Sequence, residues 1–218
     1  PELSYSEAAE VAMLGAEVLH PRTLAPLAEL GIPLSIRNIA RPDRPGTRVV
    51  ARPEPTGHAA RAIISAPGFS LVSVVAAGAI TADSWTPDLA ARALAGLAAT
   101  RIEILSFSQS FTERSLTVAV RASDADFVRE CLESIFERER EAGAVRPAFN
   151  AGQVALVAVI SAPNGGTLVP RTFAALGEAG AHILTMSQGV DSFHISFILP
   201  ESEVARVVQA LHRELGLA

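Results

Sequence analysis

The chain contains one short block of sequence twice, and this internal repeat limits the possible folds more than any other feature. Residues 105–109 read LSFSQ and residues 184–188 read LTMSQ, so that Gln188 stands 79 residues after Gln109. Self-similarity at a fixed offset is typical of a duplicated structural unit. The sequence therefore predicts two copies of one small module. The same offset superimposes Arg92 on Arg171, Leu97 on Leu176, and the alternating Leu116-Thr-Val on Ile195-Ser-Phe.

Within each copy, short β-type runs alternate with helices rich in alanine and leucine, in the order β-α-β-β-α-β or nearly so. This order predicts an α+β fold made of two ferredoxin-like modules. One helix start has a local signal, because Ser123 with Asp126 is a variant of the capping box. The predicted elements are strands 71–75, 102–108 and 115–120 with helices 87–99 and 123–141, then strands 154–160, 182–187 and 194–199 with helices 167–179 and 201–215.

The first 50 residues follow neither copy of the repeat. Serine near the chain start can cap a helix, glycine is the usual residue after a helix end, and a polar stretch broken by prolines is typical of a linker. The predicted elements here are a helical run from Ser4 or Ser6 through Glu7 to Leu19, a second one that ends at Gly31, strands 32–37 and 47–51, and a linker at 52–57.

Composition and charge exclude several classes of function. The 18 basic and 23 acidic residues give a net charge of −5, which argues against a nucleic-acid partner. Every basic residue is arginine, so lysine Schiff-base and P-loop chemistry are excluded. No apolar run is long enough to span a membrane. The single cysteine, Cys131, favours a reducing, cytoplasmic compartment. Because the chain starts at Pro1, we expect a piece of a longer protein.

The two Ser-Gln pairs are the best candidates for ligand contact. Gln109 and Gln188 stand where a predicted strand ends, each preceded by a serine. A carboxamide donates to a hydroxyl or carboxylate and accepts from an ammonium group, so it suits a small zwitterion. The alternative interpretation is that each glutamine hydrogen-bonds backbone groups at a β-turn.

Two loops precede predicted helices and form a second set of candidates. The loop Pro163-Asn-Gly-Gly-Thr167 could hold a carboxylate or phosphate with its amides and the helix dipole, or it could be an ordinary glycine turn with Thr167 as N-cap. Its counterpart in the first copy is a conventional helix start with Thr86 as N-cap, then Pro87 and Asp88. Neither loop is specific by itself.

No catalytic or metal-binding constellation is recognisable. The five histidines show neither H-x-x-x-H nor H-E-x-x-H spacing, and no nucleophile elbow of the form G-x-S-x-G is present. Cys131 is interpreted as a core residue, and the charged run Glu137–Glu141 as a solvated helix face. We expect no catalytic residue and no metal ligand.

The sequence resembles aspartate kinases over essentially all of its 218 residues. Residues 3–10, 14–23 and 37–47, which include Leu14-Gly-Ala-Glu17 and Arg41-Pro-Asp-Arg-Pro-Gly46, resemble the end of their kinase domain. The rest resembles their tandem ACT regulatory domains, with Ser-Gln in both copies as in the threonine-sensitive forms that are often fused to homoserine dehydrogenase. Where the family usually has a lysine near the nucleotide phosphates, this sequence has Glu17.

The resemblance implies a topology in which the first ACT module is inserted into the second. The implied domains are the C-terminal remnant of an amino-acid-kinase domain at 1–52, a linker at 53–60, the first module at 69–148, and a second module made of 61–68 and 149–218, with a strand around 62–65. The implied effector contacts are Gln109, Ser108 and Asp88 in the first module, and Gln188, Ser187, Asn164, Gly165, Gly166 and Thr167 in the second.

The resemblance also implies a function. The parent kinase would use ATP and Mg to phosphorylate aspartate, whereas this chain would hold no cofactor and no catalytic residue of its own. It would bind an amino-acid effector, threonine by preference, signal to its kinase domain, and form a homodimer through the ACT modules. Two alternatives are an assembly module whose effector site has decayed and a residual enzyme that acts through residues 1–50.

Overall fold

The computed structural model describes residues 1–14, 19–54, 57, 60–77, 87–161, 168–188 and 194–217. The chain divides into two units, of which the first comprises residues 1–67 with 156–218 and the second comprises residues 68–155. The second unit is thus inserted into the sequence of the first. Both are mixed α+β, which confirms the predicted fold class. The finer division of residues 1–67 into kinase end, linker and module strand stays a prediction.

The N-terminal segment of the first unit forms a small sheet with two helices. Ser4 caps the first helix through a complete capping box, since its hydroxyl accepts from the Glu7 N–H at 3.1 Å while the Glu7 carboxylate accepts from the Ser4 N–H at 2.6 Å. Gly31 ends the second helix in the left-handed conformation, as predicted. The elements are β1 (Glu2–Ser4), α1 (Tyr5–Met13), α2 (Pro21–Leu30), β2 (Leu34–Ile36) and β3 (Thr47–Val50), with the strand order β1-β3-β2.

The prediction of one helical run up to Leu19 is wrong. Helix α1 ends at Met13, and Leu14 already has a C-cap geometry. Leu19 instead lies outside any helix and packs with Ala8, Leu24 and Val49 in the core of this segment. The apolar residues at helical spacing are packed in the core, as their pattern indicated, but they do not all belong to one helix.

The rest of the first unit is a four-stranded sheet with two helices on one face. Its strand order is β4-β7-β9-β8. A buried cluster that includes Val159, Phe197, Leu176 and Leu211 joins this sheet to both helices. The elements are the first half of β4 (Ala60–Val75), the second half of β7 (Phe149–Ser161), α6 (Leu168–Glu178), β8 (Thr185–Gln188), β9 (His194–Pro200) and α7 (Val204–Leu215). The strand implied around 62–65 is the start of β4.

The second unit repeats this plan. Its sheet has the order β5-β6-β4-β7, and a buried cluster that includes Val72, Val118, Leu97 and Leu132 joins the sheet to its helices. Cys131 is half-buried against this cluster, as interpreted from the sequence. The elements besides β4 and β7 are α3 (Pro87–Ala99), β5 (Ser106–Ser110), β6 (Ser115–Arg121), α4 (Ala125–Ile135) and α5 (Glu137–Glu141).

Strand register shows the duplication directly. In β5 and β6, Gln109 lies opposite Leu116, and in β8 and β9, Gln188 lies opposite Ile195. The whole register of the second hairpin follows from that of the first by the 79-residue offset seen in the sequence. The two modules therefore share their backbone pairing as well as their motif.

Both hairpins begin later than predicted. Residues 102–105 and 182–184 lie before the strands, although the N–H groups of Leu105 and Leu184 still donate to Ala119 and Ile198 across the hairpin at 2.9 and 2.8 Å. Ile102 and Ile104 pack against the core of the second unit without a regular ladder. The alternation of apolar residues at 102 and 182 thus indicated which side chains are buried, and it did not indicate where the strands begin.

The predicted helix 123–141 is also corrected. Residues 122–124 form a 3-10 turn, and Asp124 takes the N-cap position without a side-chain capping bond, so Ser123 forms no capping box. A break at the buried Phe136 separates α4 from α5. The run Glu137–Glu141 is only partly a solvated face, because Glu139 forms an ion pair with Arg92.

Candidate functional site

The two repeated glutamines occupy equivalent places at the outer strand of each sheet. Gln109 is in β5 and Gln188 is the last residue of β8, which are end strands in the strand order of their units. Directly opposite residues of an antiparallel pair share one face of the sheet. Since Leu116 and Ile195 are buried on the helix-covered faces, each glutamine side chain lies on the helix side of its strand.

Both carboxamides are available for a ligand. Gln109 is half-buried and Gln188 is exposed. Neither side chain hydrogen-bonds to another residue in the part of the chain that the structure describes. This geometry does not favour the alternative interpretation, in which each glutamine binds turn backbone.

The serines beside these glutamines point the other way. Successive side chains of a strand alternate between faces, so Ser108 and Ser187 lie on the face opposite to Gln109 and Gln188. The Ser187 carbonyl accepts from the Ser196 hydroxyl at 3.4 Å. Within each module the structure therefore does not bring the predicted serine hydroxyls to the glutamine side.

The predicted loop residues fall largely outside the described residues. Asn164, Gly165, Gly166 and Thr167 are among them, as are Glu17 and the segment 78–86 with its N-cap residue Thr86. Asp88 lies in the first turn of α3, and its side chain is likewise outside the described part. These assignments stay predictions.

A contact that sequence reasoning missed joins α1 to the sheet of the first unit. The Arg61 Nε atom in β4 lies 3.5 Å from the Glu7 Oε1 atom, and these side chains are only 3% and 2% exposed. His194 Nδ1 at the start of β9 lies 3.0 Å from Glu10 Oε2. Both acidic residues are on α1, one turn apart. No local signal could have paired residues more than 50 positions apart.

An apolar cluster completes this contact. Val11 and Leu14, at the end of α1, pack against the buried side chains of Ile64, Ala158 and Ile160. Val157 and Val159 belong to the cluster under α6 and α7, so the alternating Ala158 and Ile160 belong to the opposite face. Helix α1 thus covers the face of the sheet that the two module helices leave open.

Two other acidic side chains, Glu139 and Glu203, have structural partners. Arg92 donates to the Glu139 carboxylate, and this hydrogen bond lowers the pKa of Glu139 below its ordinary value. The Glu203 carboxylate accepts from the His182 N–H at 2.9 Å, which lowers the pKa of Glu203.

Among the described residues, no group of three or more His, Cys, Asp or Glu side chains could hold a metal ion. No helix in this part of the chain is long and apolar enough to cross a membrane.

Comparison with known proteins identifies the class of domain first. Residues 169–215, which run from α6 to the end of α7, match the family model of the ACT domain. The whole chain is similar in sequence to aspartate kinases. It is 26% identical over 217 residues to the bifunctional aspartokinase/homoserine dehydrogenase of Haemophilus influenzae, covering 99% of this chain and 26% of that protein. It is 25% identical over 214 residues to aspartokinase 1 of Arabidopsis thaliana, covering 98% and 37%.

Solved structures agree with this relationship. The chain superimposes on E. coli aspartokinase III in complex with aspartate and ADP with a TM-score of 0.71 and 25% identity, covering 99% of this chain and 46% of that one. With the aspartate kinase of Clostridium acetobutylicum the TM-score is 0.77 at 18% identity, covering 98% and 48%. The chain thus spans about a quarter to a third of the curated relatives named above and about half of these structures.

Proposed function

We propose that this chain is the regulatory part of an aspartate kinase and binds a free amino acid, L-threonine, as a feedback effector. The observation that carries the proposal is the pair of carboxamides, Gln109 and Gln188, held at the same register in two ACT-type modules and unbonded within the described residues. The related E. coli aspartokinase III is known in complex with lysine and aspartate, which supports a small zwitterion as ligand.

A carboxamide is a better binding group for threonine than an apolar pocket would be. The amide N–H₂ can donate to the ligand carboxylate or hydroxyl, and the amide oxygen can accept from the hydroxyl or the ammonium group. Helix α6 begins at Leu168, directly after the predicted loop Asn164–Thr167, and a helix N-terminus favours a carboxylate. Occupancy would act on the kinase through a coupling free energy of about 1–3 kcal/mol between two states of the protein.

In this proposal, the catalytic residues belong to the kinase domain of the parent protein. ATP and Mg would bind there, this chain alone would hold no cofactor, and it would turn over no ATP in the presence of aspartate. Its own kinase domain would be the partner that receives the signal. The single cysteine favours a reducing compartment, the cytoplasm, as its location.

Isothermal titration calorimetry with threonine, lysine and methionine tests the effector assignment. We expect saturable binding of threonine that is lost in Gln188→Ala. Gln153→Ala is the matched control, because Gln153 is an exposed glutamine of β7 outside the repeated motif. Flat titrations of all three amino acids would contradict the proposal. Threonine binding unaffected by replacement of either repeated glutamine would contradict the assigned contacts.

The second candidate function, an assembly module without effector, has one observation in its favour. Phe107 in β5 and Met186 in β8 are equivalent residues, and they are 58% and 45% exposed. End strands with exposed apolar side chains can pair with another chain. We expect a homodimer in either case, and a monomer at micromolar concentration in light scattering would contradict this expectation. A dimer that binds no amino acid would favour the assembly function.

A further inference from the structure

The end of the β8–β9 hairpin has different neighbours on its two faces. Ile195, opposite Gln188, points into the cluster under α6 and α7. The preceding residue, His194, must point to the other face, because adjacent side chains of a strand alternate. The structure agrees, since the His194 ring reaches Glu10 of α1. One strand end therefore has a candidate effector contact on one face and a contact with the N-terminal segment on the other.

The His194 Nδ1 atom lies 3.0 Å from the Glu10 Oε2 atom, so the two side chains are in polar contact. The two side chains are 19% and 29% exposed. This partly hydrated pair can re-form at low cost, unlike the buried Glu7–Arg61 pair at the other end of the same helix face.

We propose that the contact between His194 and Glu10 couples occupancy of the Gln188 edge to the docking of α1 on the sheet. The inference rests on the proposed function, because it takes threonine as the ligand. A ligand held by Gln188 restricts the end of the hairpin, and a restricted His194 is a more persistent partner for Glu10. His194 is thus a positioning residue that acts through α1.

The two sides of this coupling must be reciprocal. If threonine stabilises the docked α1, then the docked α1 increases the affinity for threonine by the same factor. Removing the His194 ring should therefore raise the Kd for threonine, by about 2- to 30-fold for a residue along a coupling route. It should also remove the protection that threonine gives to the α1 amides.

The test combines calorimetry with hydrogen exchange of the peptide that contains α1, with and without threonine, on the full chain. We expect threonine to increase α1 protection in the wild type, His194→Ala and Glu10→Ala to lose this increase, and His194→Asn to keep it, because the asparagine amide reaches nearly the place of Nδ1. His182→Ala is the matched control. His182 also binds a glutamate, Glu203, but not α1.

Each outcome bears on a different statement. Threonine binding with an unchanged α1 response in both His194→Ala and Glu10→Ala overturns the inference and leaves the proposed function intact. Absence of amino-acid binding by the wild type overturns the proposed function and the inference with it. An equal loss of response in His182→Ala would show a general destabilisation of the unit and would also overturn the inference. Loss in both pair variants with rescue by His194→Asn supports it.

Discussion

Replacing Glu7 by glutamine should destabilise the protein strongly, although the substitution keeps the size and the capping role of the side chain. The glutamine amide can still accept from the Ser4 N–H, as in other capping boxes. What is lost is the negative charge 3.5 Å from the Arg61 Nε atom, where the arginine side chain is only 3% exposed. Leaving a buried charge without its partner costs about 3–5 kcal/mol. Glu7→Ala should cost about 1 kcal/mol more, because the hydrogen bond from the Ser4 N–H to this side chain is lost as well.

A second substitution separates the charge from the packing. In Glu7→Gln with Arg61→Met, no charge remains buried, and replacing a buried ion pair with apolar groups is often neutral or stabilising. We expect the double variant to recover to within about 1 kcal/mol of the wild type, the remainder being the hydrogen bond from Arg61 Nη2 to the Glu54 carbonyl. Glu10→Gln, at the partly exposed pair, should cost at most about 1 kcal/mol.

Urea unfolding followed by far-UV circular dichroism gives the free energies, and the slope shows whether unfolding stays cooperative. Hydrogen exchange in α1 distinguishes loss of the whole unit from local undocking of the helix. A Glu7→Gln variant within about 1 kcal/mol of the wild type would refute the reasoning, because the arginine would then be hydrated in spite of its burial. So would a double variant no more stable than Glu7→Gln alone.

Three further predictions concern single positions. A Cβ on Gly96 would overlap the tip of the Ile135 side chain of α4, which would have to shift, so Gly96→Ala should raise the Tm less than Gly177→Ala, whose Cβ would meet no atom within 4 Å outside its chain neighbours and its own helix backbone. The buried Thr172 hydroxyl has no hydrogen-bond partner in the described part of the chain, so Thr172→Val should stabilise the protein by about 1 kcal/mol in urea unfolding, and a loss would contradict this. The lowered pKa of Glu203 adds stability above its ordinary pKa of 4.5, and this contribution is lost as the pH falls through the folded value. Tm measured from pH 7 to pH 3 should therefore fall less steeply in Glu203→Gln.

The elements that could be predicted from the sequence are those with a local cause. Helix α3 has the predicted bounds, and Gly31 ends α2 because glycine takes the left-handed conformation without strain. The repeat predicted two copies of one module, and the structure shows that their hairpins share one register, since a duplicated motif brings its pairing with it. The same locality explains the failure at Ser123, where a 3-10 turn shifts the helix start to Ala125 and leaves the serine hydroxyl beside Asp124.

The break after α4 had no such local cause. Residues 123–141 are rich in helix formers, so the sequence predicted one helix. In the structure, Phe136 is buried at the break, and Arg92 on α3 donates to the Ile135 carbonyl at 2.8 Å and to Glu139. A carbonyl freed by the break is thus satisfied by a side chain from another helix. Tertiary packing overrode helix propensity, and it did so through residues distant in sequence.

The two modules differ at the residue that precedes Leu116 in β6 and Ile195 in β9, and this difference limits which module can signal to α1. The 79-residue offset places Ser115 of β6 over His194 of β9. Both modules therefore present a glutamine at the strand edge, and at this position of the second module the described side chain of His194 contacts α1. We expect Gln188→Ala to abolish the response of α1 exchange to threonine and Gln109→Ala to leave it in place. Equal loss in both variants would mean that the first module also transmits, and that the difference between Ser115 and His194 has no functional consequence.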